Sequence, residues 1–235
     1  MARAGASAWG GVDVTCIQIA VDWRARAELQ KKLERMARSG KTKSTAGLAH
    51  LLRETAVHLL RVERAWLYTN VYNYHPMAPP QAQGAFTRLA TEARTKYQNE
   101  VVRSDSGHLS TEAAKDYQAR SEEREGVVVI TLVVAARQEL LDIAQPQDAA
   151  QIRSALQSLT GLMGVVALEV IWSPAVEEDR MSTAELETIY PELKKIDEAT
   201  IAGRIFCSYC AGPFAAELMK CPHCGAPVDR SGAAG

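Results

Sequence analysis

The chain has 235 residues, enough for one full domain with a small appendage and too few for two large ones. Apolar residues make up 47% and charged residues 23%, near the average for folded proteins, which excludes wholesale disorder, a collagen-like repeat and a disulfide mini-scaffold. Basic and acidic side chains number 27 and 28, so overall charge gives no argument for nucleic acid or membrane, and any such argument has to be local.

The longest apolar run, Val127 to Ala136, is ten residues, about half of the ~20 that a membrane helix needs. No transmembrane segment is expected. Residues 1–11 read as a flexible tail without the charged and apolar regions of a secretory signal. A cytoplasmic location follows, unless a targeting segment has been trimmed away. Of five cysteines, Cys16 stands alone and four cluster near the carboxyl end, a distribution that favours a reducing compartment over a secreted disulfide framework.

In chain order, Val12 to Val21 is β-branched and follows Gly10-Gly11, which predicts a well-buried strand. Trp23 to Arg38 carries Ala25, Leu29, Leu33 and Met36 on one stripe before Gly40, an amphipathic helix. Ser44 or Thr45 caps the next helix, whose Leu48, Leu51, Leu52, Thr55, Leu59 and Val62 recur at helical spacing to about Ala65. Trp66 to Tyr74 is aromatic and β-favouring. Residues 81–102 are helical again, with Pro80 suited to the first turn.

After a polar break at Ser104 to Ser110, the charged segment Thr111 to Glu125 reads as an exposed helix. The run VVVITLVVAA behind Gly126 predicts a central strand buried on both faces. Asp148 caps a helix from Ala149 to Leu159, and Gly164 to Trp172 forms a strand, an order that implies a right-handed parallel crossover. Ser182 and Glu185 make a capping box for a short helix, and Pro191 to Ala202 reads as a linker. The fold class is α+β, a sandwich of a three- to four-stranded sheet covered by helices, with domain limits at 12–198, a zinc ribbon at 199–228 and a tail at 229–235.

That ribbon is predicted from Cys207-x2-Cys210-x10-Cys221-x2-Cys224, the spacing of two knuckles that jointly surround one tetrahedral ion. Four thiolates suit zinc, with rubredoxin-like iron as the metal alternative. Four protein ligands leave no open position, so the site is structural and metal binding supplies most of the ribbon's folding free energy. Gly212 and Gly225 stand where positive φ would turn backbone amides toward sulfur, and Pro222 and Pro227 stiffen the second knuckle. His223 reads as a neighbour of the ligands, since Cys221 and Cys224 already complete its knuckle.

Weaker signals have plainer readings. His50, Glu54 and His58 form an i, i+4, i+8 ladder able in principle to hold a second metal, but on the helical wheel His50 and Glu54 fall on the polar arc with Arg53 and Arg61 and His58 sits at its border with the apolar face, so a solvated flank is the simpler reading. Arg24 to Lys43 holds eight basic residues against Glu28 and Glu34, a face able to meet phosphates, anionic lipid or an acidic partner. Balance by the acidic stretch Glu177 to Glu198 accounts for it more simply. Trp66, Tyr68, Tyr72 and Tyr74 alternate as a strand face, for which core packing is simpler than a stacking surface. Cys16 reads as a buried, inert thiol. No nucleophile, phosphate-loop or kinase motif is present in the sequence.

The segments TAGLAHLLRETAVHLLRVERAWLY (Thr45 to Tyr68), GVVVITLVVAAR (Gly126 to Arg137) and ALEVIWSPAVEEDRMSTAELETIYPELK (Ala167 to Lys194) resemble, in the same order, motifs of the family called domain of unknown function 1517. The resemblance runs from about Val12 to Ile196. It implies no catalytic residues, and it implies an association with chloroplast membranes for the plant members. Many relatives carry an upstream hydrophobic segment and a glycine-rich stretch, where this chain has Gly10-Gly11. The cysteine knuckles lie outside the shared region.

These readings converge on a non-enzymatic zinc protein that acts as an interaction or scaffold module for a protein partner. The alternative is a nucleic-acid-binding module that combines the basic helix 24–43 with the ribbon, although Arg204, Lys220 and Arg230 against Glu217 and Asp229 leave the ribbon barely positive.

Overall fold

The computed structural model describes residues 11–39, 44–105, 126–174, 181–196, 204–207, 209, 213–215, 218–222 and 224–227. The charged helix expected at 111–125, both expected tails (but for residue 11), Cys210, Gly212 and His223 lie outside these residues. Among them run β1 (Val12–Val21), α1 (Trp23–Ser39), α2 (Thr45–Arg61), β2 (Trp66–Met77), α3 (Pro79–Asp105) and β3 (Val128–Ala136). There follow α4 (Ala149–Thr160), β4 (Val165–Ser173), α5 (Thr183–Ile189), β5 (Lys194–Lys195), β6 (Arg204–Phe206) and β7 (Pro213–Ala215). The first five strands make one antiparallel sheet in the order β4-β3-β1-β2-β5, and β6 pairs β7 in a hairpin of its own. The α+β class therefore holds, with one correction: the sheet has five strands. The additional one, β5, is two residues long, too short to show a pattern inside a segment that reads as a linker.

All ten residues of β1 and all nine of β3 are buried. Ile17, Ile19 and Val21 with Ile130, Leu132 and Val134 pack against α1, α2 and α4, sharing one core with Leu29, Leu33, Leu52, Ala56, Ile152 and Leu156. On the opposite face Val14, Cys16 and Val133 meet Ala82 and Leu89 of α3. Ala20 and Val129 meet Leu186 of α5 and Tyr190 just beyond it. Helices thus cover both faces, which is why β3 reads as one continuous apolar run. The central strand is β1, with β3 one place to its side.

Local chemistry sets the helix ends. The Ser44 hydroxyl accepts from Gly47 N–H at the start of α2, satisfying one donor that the helix cannot. At α5 the reciprocal capping box of Ser182 and Glu185 is complete. The helix expected to reach Ala65 stops at Arg61, and Glu63–Ala65 continues as a 3-10 turn. From there the chain enters β2 through a register shift between Ala20 and Val21. Trp66 consequently joins the α2 side, 1% exposed, with its indole N–H donating to Leu59 O at 3.2 Å. Tyr68 packs on the other face with Tyr190, and Tyr72 and Tyr74 pack beneath α3. Core packing accounts for the aromatic alternation.

The parallel crossover expected from β3, α4 and β4 is overturned: Val129 lies opposite Ser173 and Ala136 opposite Val165, an antiparallel pair. The cause is the segment before the helix. Leu140 N–H donates to Asp13 at 2.9 Å, the Asn73 amide to Ile143 O at 3.0 Å, and the Thr69 hydroxyl to Pro146 O. Asp13 is level with Ala136 at the end of β3, and Thr69, through Ile19, is level with Ile130 near its start. Irregular chain therefore travels back along the sheet, the distance that a crossover gives to its helix. α4 then returns the chain to the end it left, where Arg137 N–H meets Gly164 O at 2.9 Å.

Gly126 stands at φ +65, where a Cβ would come within 2.6 Å of Met181 O, so both handedness and space demand glycine. Gly126→Ala is expected to destabilise the protein by about 2 kcal/mol or more. Gly84→Ala, on the exposed side of the second turn of α3 with nothing within 4 Å of the new Cβ, should stabilise by about 0.5–1 kcal/mol. Urea melts of the two variants check the pair of opposite signs.

Candidate metal centre

β6 runs directly into Cys207 and pairs antiparallel with β7, Phe206 standing opposite Pro213. The second knuckle closes as a small hairpin: Lys220 bridges Pro227, and Cys221 N–H donates to Ala226 O at 2.8 Å. Gly225 N–H returns to Cys221 O at 2.8 Å from φ +74, the conformation anticipated for this glycine and strained for any L side chain. Phe214 packs with Cys207, Cys221 and Ala226 in a small core separate from those of the sheet. β7 lies beside the 3-10 turn Glu63–Ala65.

The structure brings together Cys207, Cys221 and Cys224, whose sulfurs all lie within 4.8 Å of one another. Cys207 and Cys224, one from each knuckle, have sulfurs 3.6 Å apart. A disulfide would require about 2.05 Å, and thiolates about 2.3 Å from one tetrahedral ion stand about 3.8 Å apart. The donor set therefore fits a metal ion. No other such group of histidines, cysteines and carboxylates occurs among the described residues. Cys207 and Cys221 are buried while Cys224 is exposed, so the centre has a dry side and a wet one. On the ribbon Tyr209, Leu218 and Met219 are 65%, 41% and 67% exposed. The sequence signal for this apolar rim is large apolar residues between and just before the ligands, where a ribbon has no core to receive them.

A helix-covered antiparallel sheet followed by a separate cysteine hairpin defines a small α+β protein with a metal-type appendage. Residues 11–196 match the family described as protein of unknown function (DUF1517), and the chain belongs to that family. It is similar to Protein FLAP1 homolog A of Synechocystis, at 28% identity over 82% of this chain and 60% of the relative. It is also similar to FLUCTUATING-LIGHT-ACCLIMATION protein 1, chloroplastic, of Arabidopsis thaliana, at 26% identity over 72% of this chain and 43% of the relative. The matched region thus spans less than two thirds of either relative, and the family match ends before the cysteine hairpin. No solved structure matches this chain. No helix among the described residues is long and apolar enough to cross a membrane.

The remaining sequence candidates also have places. Cys16 is 1% exposed, and burial above all, then Glu192 and Glu92, pushes its thiol up to about 12, which makes it inert. Of the acidic stretch expected to balance the basic helix, the described residues Glu185, Glu187 and Glu192 meet other partners: Glu185 closes the α5 cap, Glu187 accepts from Tyr68, and Glu192 pairs with Lys96; Glu177, Glu178, Asp179, Asp197 and Glu198 lie outside the described residues. His50 is exposed, and His58 is half-buried with its Nδ1 fully buried and without a hydrogen-bond partner. The sequence treats the basic helix and the histidines as separate features, yet Lys32 and Arg35 of α1 and Arg61 of α2 all act on His58.

Burial first, then those cations, lowers the His58 pKa from its ordinary 6.5 to about 4, with Glu54 opposing. Below pH 6.5 the unfolded chain takes up a proton that folded His58 refuses until about pH 4. Stability present above that window is therefore lost progressively on acidification through it. His58→Gln should flatten this loss, read as a smaller difference between urea midpoints at the two ends of the window than in the wild type.

Proposed function

We propose that the chain is a non-enzymatic, zinc-stabilised interaction protein, in which Cys207, Cys210, Cys221 and Cys224 hold one zinc ion. The observation that carries this reading is the 3.6 Å separation of sulfurs from opposite knuckles, which suits a shared tetrahedral ion. The ion would supply a cross-link in place of a hydrophobic core, a contribution of about 10–16 kcal/mol in isolated zinc peptides. With four thiolates the centre has no open position for water or substrate, so its role is to fold the hairpin. What the folded hairpin then offers is the rim of Tyr209, Leu218 and Met219, aromatic and methionine side chains of the kind that anchor protein interfaces.

A protein partner and a reducing compartment, the cytoplasm, belong to the same proposal. Thiols in the described residues form no disulfide, which agrees with such a compartment. The name of the Arabidopsis relative points, for that protein, to acclimation to fluctuating light, and the proposal takes that as the setting in which to seek the partner.

Native mass spectrometry with elemental analysis, on protein purified from its own source, tests the reading. One zinc per chain and a co-purifying protein that is lost in the Tyr209→Ser, Met219→Ser variant are expected. A coloured iron protein would move the function to electron transfer, and bound nucleic acid would assign it to the basic helix with the ribbon. Cys221→Ser should release the metal and unfold the hairpin while shifting the main unfolding transition by less than about 0.5 kcal/mol. Collapse of the whole chain would instead join the hairpin to the sheet domain as one unit.

A further inference from the structure

Zinc neither gains nor loses electrons, so any redox chemistry at a zinc thiolate centre belongs to its sulfurs. The three sulfurs gathered here are not equivalent. Cys207 and Cys221 are 5% and 2% exposed, while Cys224 is exposed. The space beside Cys224 is open as well: Pro222 and Gly225 are exposed, and a Cβ built on Gly225 would meet nothing within 4 Å. A small solute therefore reaches Cys224 from the wet side of the centre, while Cys207 and Cys221 are shielded from it.

The second observation is proximity. The Cys207 sulfur stands 3.6 Å from that of Cys224, about 1.5 Å more than a disulfide bond, a gap that side-chain rotation can close once the two sulfurs cease to share an ion. The two residues lie 17 apart in sequence, on opposite knuckles, so a bond between them would join the same two pieces of chain that the ion joins. An exposed sulfur with a second sulfur directly behind it is also the arrangement in which an oxidised cysteine is captured as a disulfide before oxidation goes further.

Resting on the zinc centre put forward above, we propose that Cys224 is a modification site for hydrogen peroxide, with Cys207 as its resolving partner, and that their disulfide releases the metal. The Cys224 thiolate attacks one peroxide oxygen: an S–O bond forms, the O–O bond breaks, hydroxide leaves, and the sulfur gives up the two electrons that peroxide takes. The Cys207 thiolate then attacks the Cys224 sulfur: an S–S bond forms, the S–O bond breaks, and a second hydroxide leaves. Two thiolates and one peroxide thus become one disulfide and two hydroxides. Cys210 and Cys221 remain, two donors where a tetrahedral centre takes four, and the metal is no longer held. One covalent link then replaces four ligand bonds, and Cys221, which anchors the chain just beyond Leu218 and Met219, is let go. Oxidation thereby withdraws the apolar rim as a docking surface, and a dithiol reductant that attacks the exposed Cys224 sulfur restores it.

The test treats the full chain, loaded with zinc, with stoichiometric hydrogen peroxide, reads metal release with a chromogenic chelator and maps the disulfide by peptide mass spectrometry. One zinc released for each Cys207 to Cys224 disulfide is expected, with Cys16, buried in the sheet, still reduced, and with dithiothreitol plus zinc restoring the starting state. Cys224→His keeps a fourth donor of a kind that zinc accepts and removes the reactive sulfur, so peroxide should release its metal more slowly by about tenfold or more. Release from this variant at the wild-type rate would overturn the assignment of Cys224. A disulfide between any other pair in the wild type, Cys210 included, would overturn that of Cys207, and this mapping decides the pair even where the variant loses its metal. Zinc that survives stoichiometric peroxide would overturn the switch alone and leave the metal centre standing. A full chain that takes up no zinc before peroxide is added would overturn both.

Discussion

Burying two adjacent strands on both faces and both edges is the constraint on which the rest of the molecule depends. β1 and β3 each lie between two other strands, so neither has an edge left for water, and apolar side chains on both faces must find cover. That demand accounts for helices on either side of the sheet. It also accounts for irregular segments tied down by side chains, such as the one after β3 held by Asp13, Asn73 and Thr69. Backbone groups in such a segment cannot be left unpaired against a dry sheet.

The cysteine hairpin obeys a different economy. Its core of Cys207, Phe214, Cys221 and Ala226 is far too small to offset the conformational entropy of ordering the chain. Side chains that a larger domain would bury are consequently left outside. A sheet domain held by area and a hairpin held by ligation respond to different stresses, the first to denaturant and the second to chelators, acid or oxidants.

Much of this was legible because the physics is local or repeats along the chain. The β3 run, the stripe of Leu29 and Leu33, the Ser182 to Glu185 box and the cysteine spacing each announce themselves within a few residues. What could not be read depends on meetings between distant segments. The antiparallel return of β4 is decided by Thr69 and Asn73, which are remote in sequence from the loop they hold. β5 owes its existence to the edge of β2, where Tyr68 and Thr69 pair with Lys195 and Lys194, and the two lysines look like linker until that edge is known. The cations of α1 come to act on His58 only once α1 lies beside α2. At the cysteines the spacing anticipated that Cys207, Cys221 and Cys224 would be gathered, and the exposure of Cys224 beside two buried sulfurs was beyond its reach.

On the α3 side of the sheet, three polar residues interrupt the apolar face in a row: Asn70, Gln18 and Thr131 pair across β2, β1 and β3, and the Asn70 amide donates to Gln18 at 3.1 Å. They divide the packing of that face into a part under α3 and a part under α5. Side chains alternate along a strand, so sliding β1 by one residue would turn Gln18 into the dry core beneath α2 and leave Asn70 without its partner. Apolar residues flanking the row are nearly interchangeable in size and chemistry, and would tolerate such a slip far better. The row thus serves as an alignment key, costing little in the correct pairing and much in its neighbours, in a sheet whose β-branched strands could otherwise settle one step out of place.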